Sequence, residues 1–293
     1  MGVVITIVNQ KGGVAKTTTV SALAYILNQK GYRVLSIDLD PQRNLDMLAG
    51  KGLAIPINDM ETGSILHALN HQRSLHDIII KTEIGDLARA SSQLSGWNGR
   101  PILTIDEFQQ MQNDLEALAD LLRERFAHSD FSHELQALIP EVREEYDFIL
   151  IDTNPSLTLL TTNGLNAADY VLIPAFPEES SREAVVELWN TIRILKQLNP
   201  CKYLEVCGIL LTKVNTKTNI FNLYSNAFQR VASSIGTILF NTRIKNSIAA
   251  SECMSRRQNI MKYQPSSTTA QCYLNFADEF VERIKQMEAK RNG

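Results

Sequence analysis

The chain has 293 residues and a formal net charge of −3, with 44% apolar and 21% charged residues. This composition excludes a disordered tail protein, a collagen-like chain and a coiled-coil rod. No apolar run approaches the roughly 18 residues of a membrane span, and the four cysteines are too few and too irregularly spaced for a disulfide framework. Since the N-terminus also lacks a signal-peptide pattern, we expect a cytoplasmic protein with no membrane contact.

Strands and helices alternate from the start of the chain. The β-branched run Val3–Val8 is followed by a glycine-rich turn, a helical pattern over Thr17–Gln29 and a strand over Arg33–Asp38. Further strands are predicted at Leu87–Ala90, Phe148–Asp152, Tyr170–Ala175, Leu204–Leu211 and Thr237–Asn241. We therefore expect an α/β fold with a doubly wound, mostly parallel sheet and helices on both faces. One domain over residues 1–293 is the simplest organisation.

Three features mark the helices between and after these strands. Capping boxes at Thr104–Glu107 and Ser180–Glu183 predict two helix starts. A last helix is predicted after Pro265, with an aromatic stripe that we expect to pack on the sheet. The stretch from about 53 to 141 contains more helix than a minimal βαβ unit needs, so we expect a helical elaboration there.

A phosphate-binding loop is predicted at Asn9–Thr18, between the first strand and the first helix. Glycines allow successive backbone N–H groups to point at phosphate oxygens, and the helix N-terminus adds the positive end of its dipole. Lys16 is expected to reach the β- and γ-phosphates, and the Thr17 hydroxyl to bind Mg²⁺. The expected nucleotide-binding residues of the loop are Lys11, Gly12, Gly13, Val14, Ala15, Lys16, Thr17 and Thr18.

Lys11 precedes the glycines of this loop, as in the deviant Walker A motif K-G-G-x-G-K-T. In this respect the sequence resembles the ParA/MinD family of partition and positioning ATPases. The resemblance implies an ATP-sandwich homodimer in which Lys11 reaches the ATP of the partner subunit. Ala15 stands where the family has glycine, and if this residue needs a positive φ, alanine costs roughly 1–2 kcal/mol.

Two segments supply the predicted carboxylates. Asp38-Leu39-Asp40-Pro41-Gln42 resembles the family's D-x-D-P-Q segment, which implies that Asp40 orients the attacking water and that Asp38 supports the water shell of the metal. Asp152 ends an apolar strand in the Walker B arrangement, which holds Mg²⁺, usually through water. Asn154 stands where the family usually has proline, so the following loop is expected to differ in shape.

The segment Lys213-Val214-Asn215 resembles the [N/T]-K-x-D element of related GTPases. The Asn215 amide cannot accept both hydrogens from the guanine edge, so the residue disfavours guanine and is compatible with adenine. We expect Lys213 and Asn215 near the base, although the segment could equally be a loop that only lies close to it. The family resemblance implies ATP, with Mg²⁺, as the bound nucleotide.

Positive charge is concentrated between Lys213 and Lys262, where eight basic residues and one acidic residue, Glu252, give a net charge of +7 and leave −10 on the rest of the chain. Such a segment can neutralise DNA phosphates without reading sequence. The resemblance implies nonspecific DNA binding in this region, and the alternative is a solvated face. The expected contacts are Lys217, Arg243, Lys245, Arg256, Arg257 and Lys262.

The charges of the last helix cancel between residues 278 and 291, whereas MinD-type proteins end in a basic membrane-targeting helix. The resemblance therefore implies a ParA-like ATPase that is nucleoid-associated, weakly active and stimulated by DNA and a ParB-like partner. Its expected function is segregation of a plasmid or chromosome. The alternatives are an ATPase that positions a protein assembly on the nucleoid, a MinD-like protein, and a non-hydrolysing regulator.

Overall fold

The structure is a computed structural model that describes residues 2–50, 63–98, 131–199, 202–216 and 219–293. The predicted capping box at Thr104–Glu107 and the predicted DNA contact Lys217 lie outside these residues.

The described residues form one seven-stranded sheet. Its strands are β1 (Val3–Ile7), β2 (Val34–Asp38), β3 (Ile79–Thr82), β4 (Gly85–Ala88), β5 (Phe148–Asp152), β6 (Tyr170–Ala175) and β7 (Glu205–Leu211). Their order is β3-β4-β2-β5-β1-β6-β7. All neighbouring strands are parallel except β3 and β4, which form an antiparallel hairpin at one edge. The predicted mostly parallel α/β sheet is therefore confirmed.

One predicted strand, Thr237–Asn241, is wrong, because only an isolated bridge between Leu239 and Ile209 is present there. At this bridge Ile209 N donates to Ile238 O at 2.9 Å. Two further bonds join the segment and the residues directly after it to β7, from Phe240 N to Ile209 O at 3.0 Å and from Ile244 N to Leu211 O at 2.9 Å. These partners are two residues apart on β7 and four apart on the segment. The two extra residues prevent a regular ladder.

The described helices are α1 (Lys16–Gln29), α2 (Asn44–Leu48), α3 (Ile65–Leu69), α4 (Glu134–Val142), α5 (Leu159–Ala167), α6 (Glu179–Leu198), α7 (Asn219–Ser234), α8 (Ile248–Ser255), α9 (Ile260–Tyr263) and α10 (Thr268–Asn292). The predicted capping box at Ser180–Glu183 is wrong, because the extended residue before α6 is Glu178 and Ser180 already lies in the first turn. In the described part of the predicted elaboration, short helices accompany the β3–β4 hairpin, which the sequence did not predict.

Helices cover both faces of the sheet, as expected. Alternate residues of β5 enter different apolar clusters: Leu150 packs with α1 and α10, and Ile149 packs with α3 and α4. The aromatic stripe of α10 is buried in the first cluster, where the Phe276 and Phe280 rings lie with centroids 5.9 Å apart. This confirms that the last helix packs on the sheet. Within the described ranges no helix has the length and hydrophobicity needed to span a membrane.

The stability of β7 depends on a close approach that only glycine allows. A Cβ atom at Gly208 would lie 2.4 Å from Cε2 of the buried Phe240 ring. We expect Gly208→Ala to lower the free energy of unfolding by about 1–3 kcal/mol through overpacking, measured by urea denaturation. The control is Gly96→Ala, where no atom lies within 4 Å of the added Cβ; this change should stay within about 0.5 kcal/mol. Equal effects of the two substitutions would contradict the packing explanation.

Candidate nucleotide-binding site

A cavity of about 400 Å³ lies at the carboxyl edge of the parallel strands. One wall comes from the loop after β1 and the segment after β2, and includes Lys16, Thr17 and Asp40. The opposite wall comes from the C-terminal part of the chain, including Met254 of α8 and Tyr273 of α10. The cavity therefore lies between residues from the two ends of the sequence.

The predicted phosphate-binding loop is held in place by two polar residues, Asn9 and Thr212, to which the sequence analysis gave no role. Asn9 is fully buried; its Nδ2 donates to Pro174 O at 2.7 Å and its Oδ1 accepts from Lys11 N at 2.9 Å. Thr212 Oγ1 donates to Val14 O at 3.0 Å. The loop is thus attached to the ends of β6 and β7. The signal for Asn9 was its place as a polar residue directly after a buried strand.

Lys16 is buried at the start of α1, and its Nζ donates to Asn9 O at 3.1 Å and Lys11 O at 3.4 Å. Both acceptors belong to the loop itself. Burial lowers the pKa of Lys16, while the negative charges of Asp152 and Asp40 act in the opposite direction. The ammonium group therefore lies among the loop carbonyls and the carboxylates of the site.

Ala15 adopts the left-handed conformation, with φ 65° and ψ 33°, directly before α1. This is the positive φ that the sequence analysis considered, at a position where alanine is strained. Gly13 also has a positive φ of 75°, and no atom lies within 4 Å of a Cβ built there. The loop backbone consequently keeps the shape of a glycine-containing phosphate loop despite the alanine.

Two predicted metal-site carboxylates lie on neighbouring strands, because Asp38 of β2 is in register with Asp152 of β5. Both are fully buried. Asp38 Oδ1 accepts from Asp40 N at 2.9 Å, whereas Asp38 Oδ2 and both oxygens of Asp152 lack a hydrogen-bond partner among the described residues. Burial raises the pKa of Asp152 to about 7, against the influence of the Thr17 hydroxyl and the Lys16 charge. Burial and then repulsion by Asp152 raise the pKa of Asp38 well above its ordinary value.

These orphaned oxygens are suited to a hydrated Mg²⁺ ion. Mg²⁺ prefers oxygen ligands and usually keeps several of its waters, each of which can donate to a carboxylate. No group of three or more ligating side chains comes together in the described part of the chain. Such a donor set fits a metal held mainly by nucleotide and water. Thr17, the predicted direct Mg²⁺ ligand, lines the cavity, whereas Asp38 and Asp152 are not among its lining residues.

Asp40, the predicted catalytic carboxylate, is nearly buried and lines the cavity. Its Oδ1 accepts from Gln42 N at 3.0 Å, which fixes the orientation of the carboxylate. The structure therefore brings Asp40 to the same cavity as Lys16 and Thr17, on the side where the two buried aspartates end their strands.

The predicted base-binding segment is only partly at the cavity. Lys213 lines it and has a left-handed backbone with φ 50°, whereas Asn215 is exposed and not among the lining residues. Further lining residues that the sequence analysis did not assign to the nucleotide are Ile244, Asn246, Ala250, Ser251, Met254 and Tyr273. Lys245, predicted as a DNA contact, also lines the cavity.

The other predicted DNA contacts differ in their surroundings. Arg256 and Arg257 are adjacent and exposed at the end of α8. Lys262 is exposed, with Nζ 2.8 Å from Glu83 Oε1. Arg243 is partly buried and donates to Thr242 O at 3.3 Å, and burial lowers its pKa. The described candidates therefore do not form one uniform patch.

Comparison with known proteins gives the family. A family model described as an AAA domain matches residues 2–203. The chain is 34% identical over 282 residues to the sporulation initiation inhibitor protein Soj of Bacillus subtilis, covering 95% of this chain and 98% of that one. The chain belongs to the ParA/MinD family of ATPases.

One further relative and one solved structure are similar to the chain over nearly its whole length. The chain is 35% identical to the chromosome partitioning protein ParA of Myxococcus xanthus over 292 residues, covering 99% of this chain and 92% of that one. It also resembles the structure of cobyrinic acid a,c-diamide synthase from Mycobacterium smegmatis with bound ADP and magnesium, with a TM-score of 0.70, 26% identity and coverage of 97% and 96%. The similarity to these proteins supports an ATP-hydrolysing enzyme of the partition and positioning class, and the predicted nucleotide and Mg²⁺ agree with the ligands of that neighbour.

The strain at Ala15 gives a prediction for stability. Ala15→Gly should raise the free energy of unfolding by about 1 kcal/mol, because relief of the left-handed alanine exceeds the entropy that glycine adds to the unfolded chain. Chemical denaturation without nucleotide measures this. Ala24→Gly, in the right-handed interior of α1, should instead destabilise by about 1 kcal/mol or more. If both substitutions lower the free energy of unfolding, the left-handed backbone of Ala15 is not strained.

The raised pKa of Asp152, about 7 against an ordinary 3.8, predicts a pH dependence. The folded protein keeps this proton while the unfolded chain has lost it, so the stabilisation is complete below about pH 4 and is lost as the pH rises towards 7, by up to about 1.4 kcal/mol per pH unit. Asp152→Asn should reduce the loss of stability between about pH 4.5 and 7, measured by denaturation without Mg²⁺ or nucleotide.

The control for this titration is Asp147→Asn. Hydrogen bonds from Arg33 lower the pKa of Asp147, so its contribution is lost only as the pH falls below its ordinary range. This variant should leave the slope between about pH 4.5 and 7 unchanged. An unchanged slope in Asp152→Asn would show that the Asp152 carboxyl does not titrate in this range.

Proposed function

We propose that the protein is a ParA-type, Mg²⁺-dependent ATPase that dimerises on ATP, binds DNA nonspecifically and associates with the nucleoid. A ParB-like protein would stimulate its weak hydrolysis, and its cargo would be a plasmid or chromosome. The observation that carries the proposal is the placement of the phosphate-loop residues Lys16 and Thr17 with Asp40 at one cavity, where the charges of Asp152 and Asp40 act on the Lys16 ammonium. Similarity to Soj and ParA over nearly the whole chain supports it.

In this proposal the loop binds the phosphates of ATP through its backbone N–H groups and the Lys16 ammonium. Thr17 would bind Mg²⁺ directly, and Asp38 and Asp152 would accept hydrogen bonds from its waters. The metal supplies positive charge that neutralises the β- and γ-phosphates. Lys213 and the residues opposite the loop would enclose the base and ribose.

Asp40 would orient the attacking water. Its carboxylate is fixed by the Gln42 amide and faces the cavity, and it lies beside the strand ends that carry Asp38 and Asp152. Since it acts mainly when water attacks, it contributes to the transition state rather than to ground-state binding.

DNA binding is assigned chiefly to Arg256 and Arg257. The end of α8 is a Schellman motif, with Gln258 N donating to Cys253 O at 3.0 Å and Arg257 N to Met254 O at 3.0 Å. Arg257 occupies the left-handed position of this motif, with φ 50°, where glycine is favoured. Because an arginine at a position that favours glycine lowers stability, its exposed side chain supports a role in binding rather than in folding.

A second candidate function is a non-hydrolysing, nucleotide-dependent regulator. The observation that favours it is the strained Ala15 within the phosphate loop. Release of inorganic phosphate from ATP, with and without duplex DNA, separates it from the ATPase: sustained release above the Lys16→Ala background supports the ATPase, and none supports the regulator.

The roles of Lys16 and Asp40 can be separated by substitution. Lys16→Ala should weaken ATP binding by about 10- to 100-fold, because it removes a charge-assisted contact to the phosphates. Asp40→Ala should retain ATP binding and dimerisation but lower turnover by about 100-fold or more. Fluorescent-nucleotide titration and phosphate release measure the two effects. Equal losses of ATP affinity in both variants would contradict the assignment.

Nonspecific DNA binding should appear only with ATP, because dimerisation joins two weak basic surfaces into one bivalent surface. Replacing Arg256 and Arg257 by alanine should weaken binding to all sequences alike. For each DNA phosphate that the variant no longer neutralises, the slope of log affinity against log salt should become flatter by about 0.9. A salt titration with labelled duplex DNA measures this, and absence of salt-dependent binding by the wild type with ATP would refute the DNA role.

The matched control for the DNA experiment is Lys285→Ala with Lys290→Ala, which removes the same charge from exposed positions on α10. Arg291 is unsuitable because it donates to Asp169 Oδ1 at 3.1 Å and is needed for packing. Arg257→Gly adds a separate check. It should raise the free energy of unfolding by about 1 kcal/mol, since glycine fits the left-handed position, while DNA affinity falls.

A further inference from the structure

The backbone of Lys11 is fixed on both sides. Its N–H donates to Asn9 Oδ1 at 2.9 Å, and its carbonyl accepts from Lys16 Nζ at 3.4 Å. A change in the direction of Lys11 that leaves the phosphate loop intact is therefore a change in its side chain alone.

That side chain is engaged within its own subunit, at the start of α6. Lys11 Nζ lies 2.9 Å from Glu178 Oε1 and donates to Ser180 Oγ at 2.6 Å. The Ser180 hydroxyl in turn donates to Glu178 Oε1 at 3.0 Å, and the bond from Lys11 lowers the pKa of Glu178. The Lys11 and Glu178 side chains are 35% and 45% exposed, so the Lys11–Glu178 pair can open without unpacking the core.

Helix capping does not explain the position of Glu178. It is the N-cap residue of α6, yet its side chain makes no capping hydrogen bond to the first turn. A helix N-terminus carries partial positive charge and repels a cation. The Ser180 hydroxyl accepts one hydrogen bond from the Lys11 ammonium, and the Glu178 carboxylate supplies the negative charge that offsets the repulsion by the helix.

We propose that Glu178 is a positioning residue that holds Lys11 on its own subunit and so sets how readily two ATP-bound subunits associate. This inference rests on the proposed ATP dimer, in which Lys11 contacts the partner's nucleotide. The phosphates of ATP carry more negative charge than one carboxylate and compete for the same ammonium group. In a two-fold symmetric dimer both Lys11–Glu178 pairs open, so the effect of one pair enters twice.

The test is Glu178→Gln, which removes the charge and keeps the size of the side chain. A half-exposed ion pair changes an equilibrium by about two- to fivefold, so two pairs should change the association constant by about four- to 25-fold. We expect the variant to dimerise more tightly by this factor with a slowly hydrolysed ATP analogue, as measured by light scattering over a protein titration. Its affinity for fluorescent ATP as a monomer should be unchanged, which a loss of folding would not produce.

Glu179→Gln is the matched control, because it removes the same charge from the next residue, whose partner is Arg182. It should leave the association constant unchanged. Lys11→Ala should fail to dimerise, and adding Glu178→Gln to it should restore nothing, since Glu178 acts through Lys11. The inference is overturned if the double variant dimerises more tightly than Lys11→Ala. It is also overturned if Glu179→Gln raises the association constant more than Glu178→Gln does.

The outcomes also separate this inference from the proposed function. If the wild type dimerises on ATP and Lys11→Ala does not, but Glu178→Gln associates as the wild type or more weakly, the role of Glu178 is wrong and the dimer stands. If the wild type does not dimerise with ATP, the proposed dimer and the inference both fail.

Discussion

The structure depends on one electrostatic constraint: two carboxylates lie side by side in the interior of a sheet with too few hydrogen bonds to satisfy them. Asp38 and Asp152 end the central strands β2 and β5, and both are fully buried. Burying such groups without partners is costly unless a cation or water arrives. The surrounding elements supply what is missing, because the phosphate loop brings Lys16 and Thr17 to the same edge. Burial of these carboxylates therefore lowers the free energy of unfolding of the ligand-free protein. Binding of nucleotide and metal relieves this cost, which raises the affinity for both.

Two strained backbone positions also lower stability at proposed ligand-binding sites. Ala15 and Arg257 both adopt left-handed conformations that favour glycine, one within the phosphate loop and the other at the end of α8. Each costs stability, and each lies where a ligand is proposed to bind. The remaining polar contacts of the loop, from Asn9 and Thr212, keep its shape despite the alanine.

Much of the fold was predictable because buried parallel strands are nearly continuous apolar runs. Phe148–Asp152 and Tyr170–Ala175 were predicted with the boundaries observed. The short edge strand Ile79–Thr82 was missed since it is only partly buried and carries a weak pattern. Thr237–Asn241 has a β-like composition, but its extra residues relative to β7 are a tertiary property that composition does not reveal.

Only part of the candidate site was predictable from the sequence. Local motifs predicted the phosphate loop and the carboxylates, because their spacing within a strand–turn–helix unit is fixed by phosphate chemistry. Motifs could not predict the opposite wall, since Met254 and Tyr273 reach the cavity only through the packing of α8 and α10. The contact of Lys11 with Glu178 joins residues far apart in sequence, and no local pattern encodes it.

The division of the cavity between the two ends of the chain has a consequence for the smallest fragment that can work. The recognised family region stops at residue 203, before β7 and before every residue of the opposite wall. Asn259 also attaches that wall to α1, with Nδ2 donating to Ser21 O at 2.8 Å. A fragment cut at the family boundary would keep Lys16, Thr17 and Asp40 but lose both Thr212, which holds the phosphate loop, and the opposite wall of the cavity. The minimal autonomous unit therefore extends at least through Tyr273.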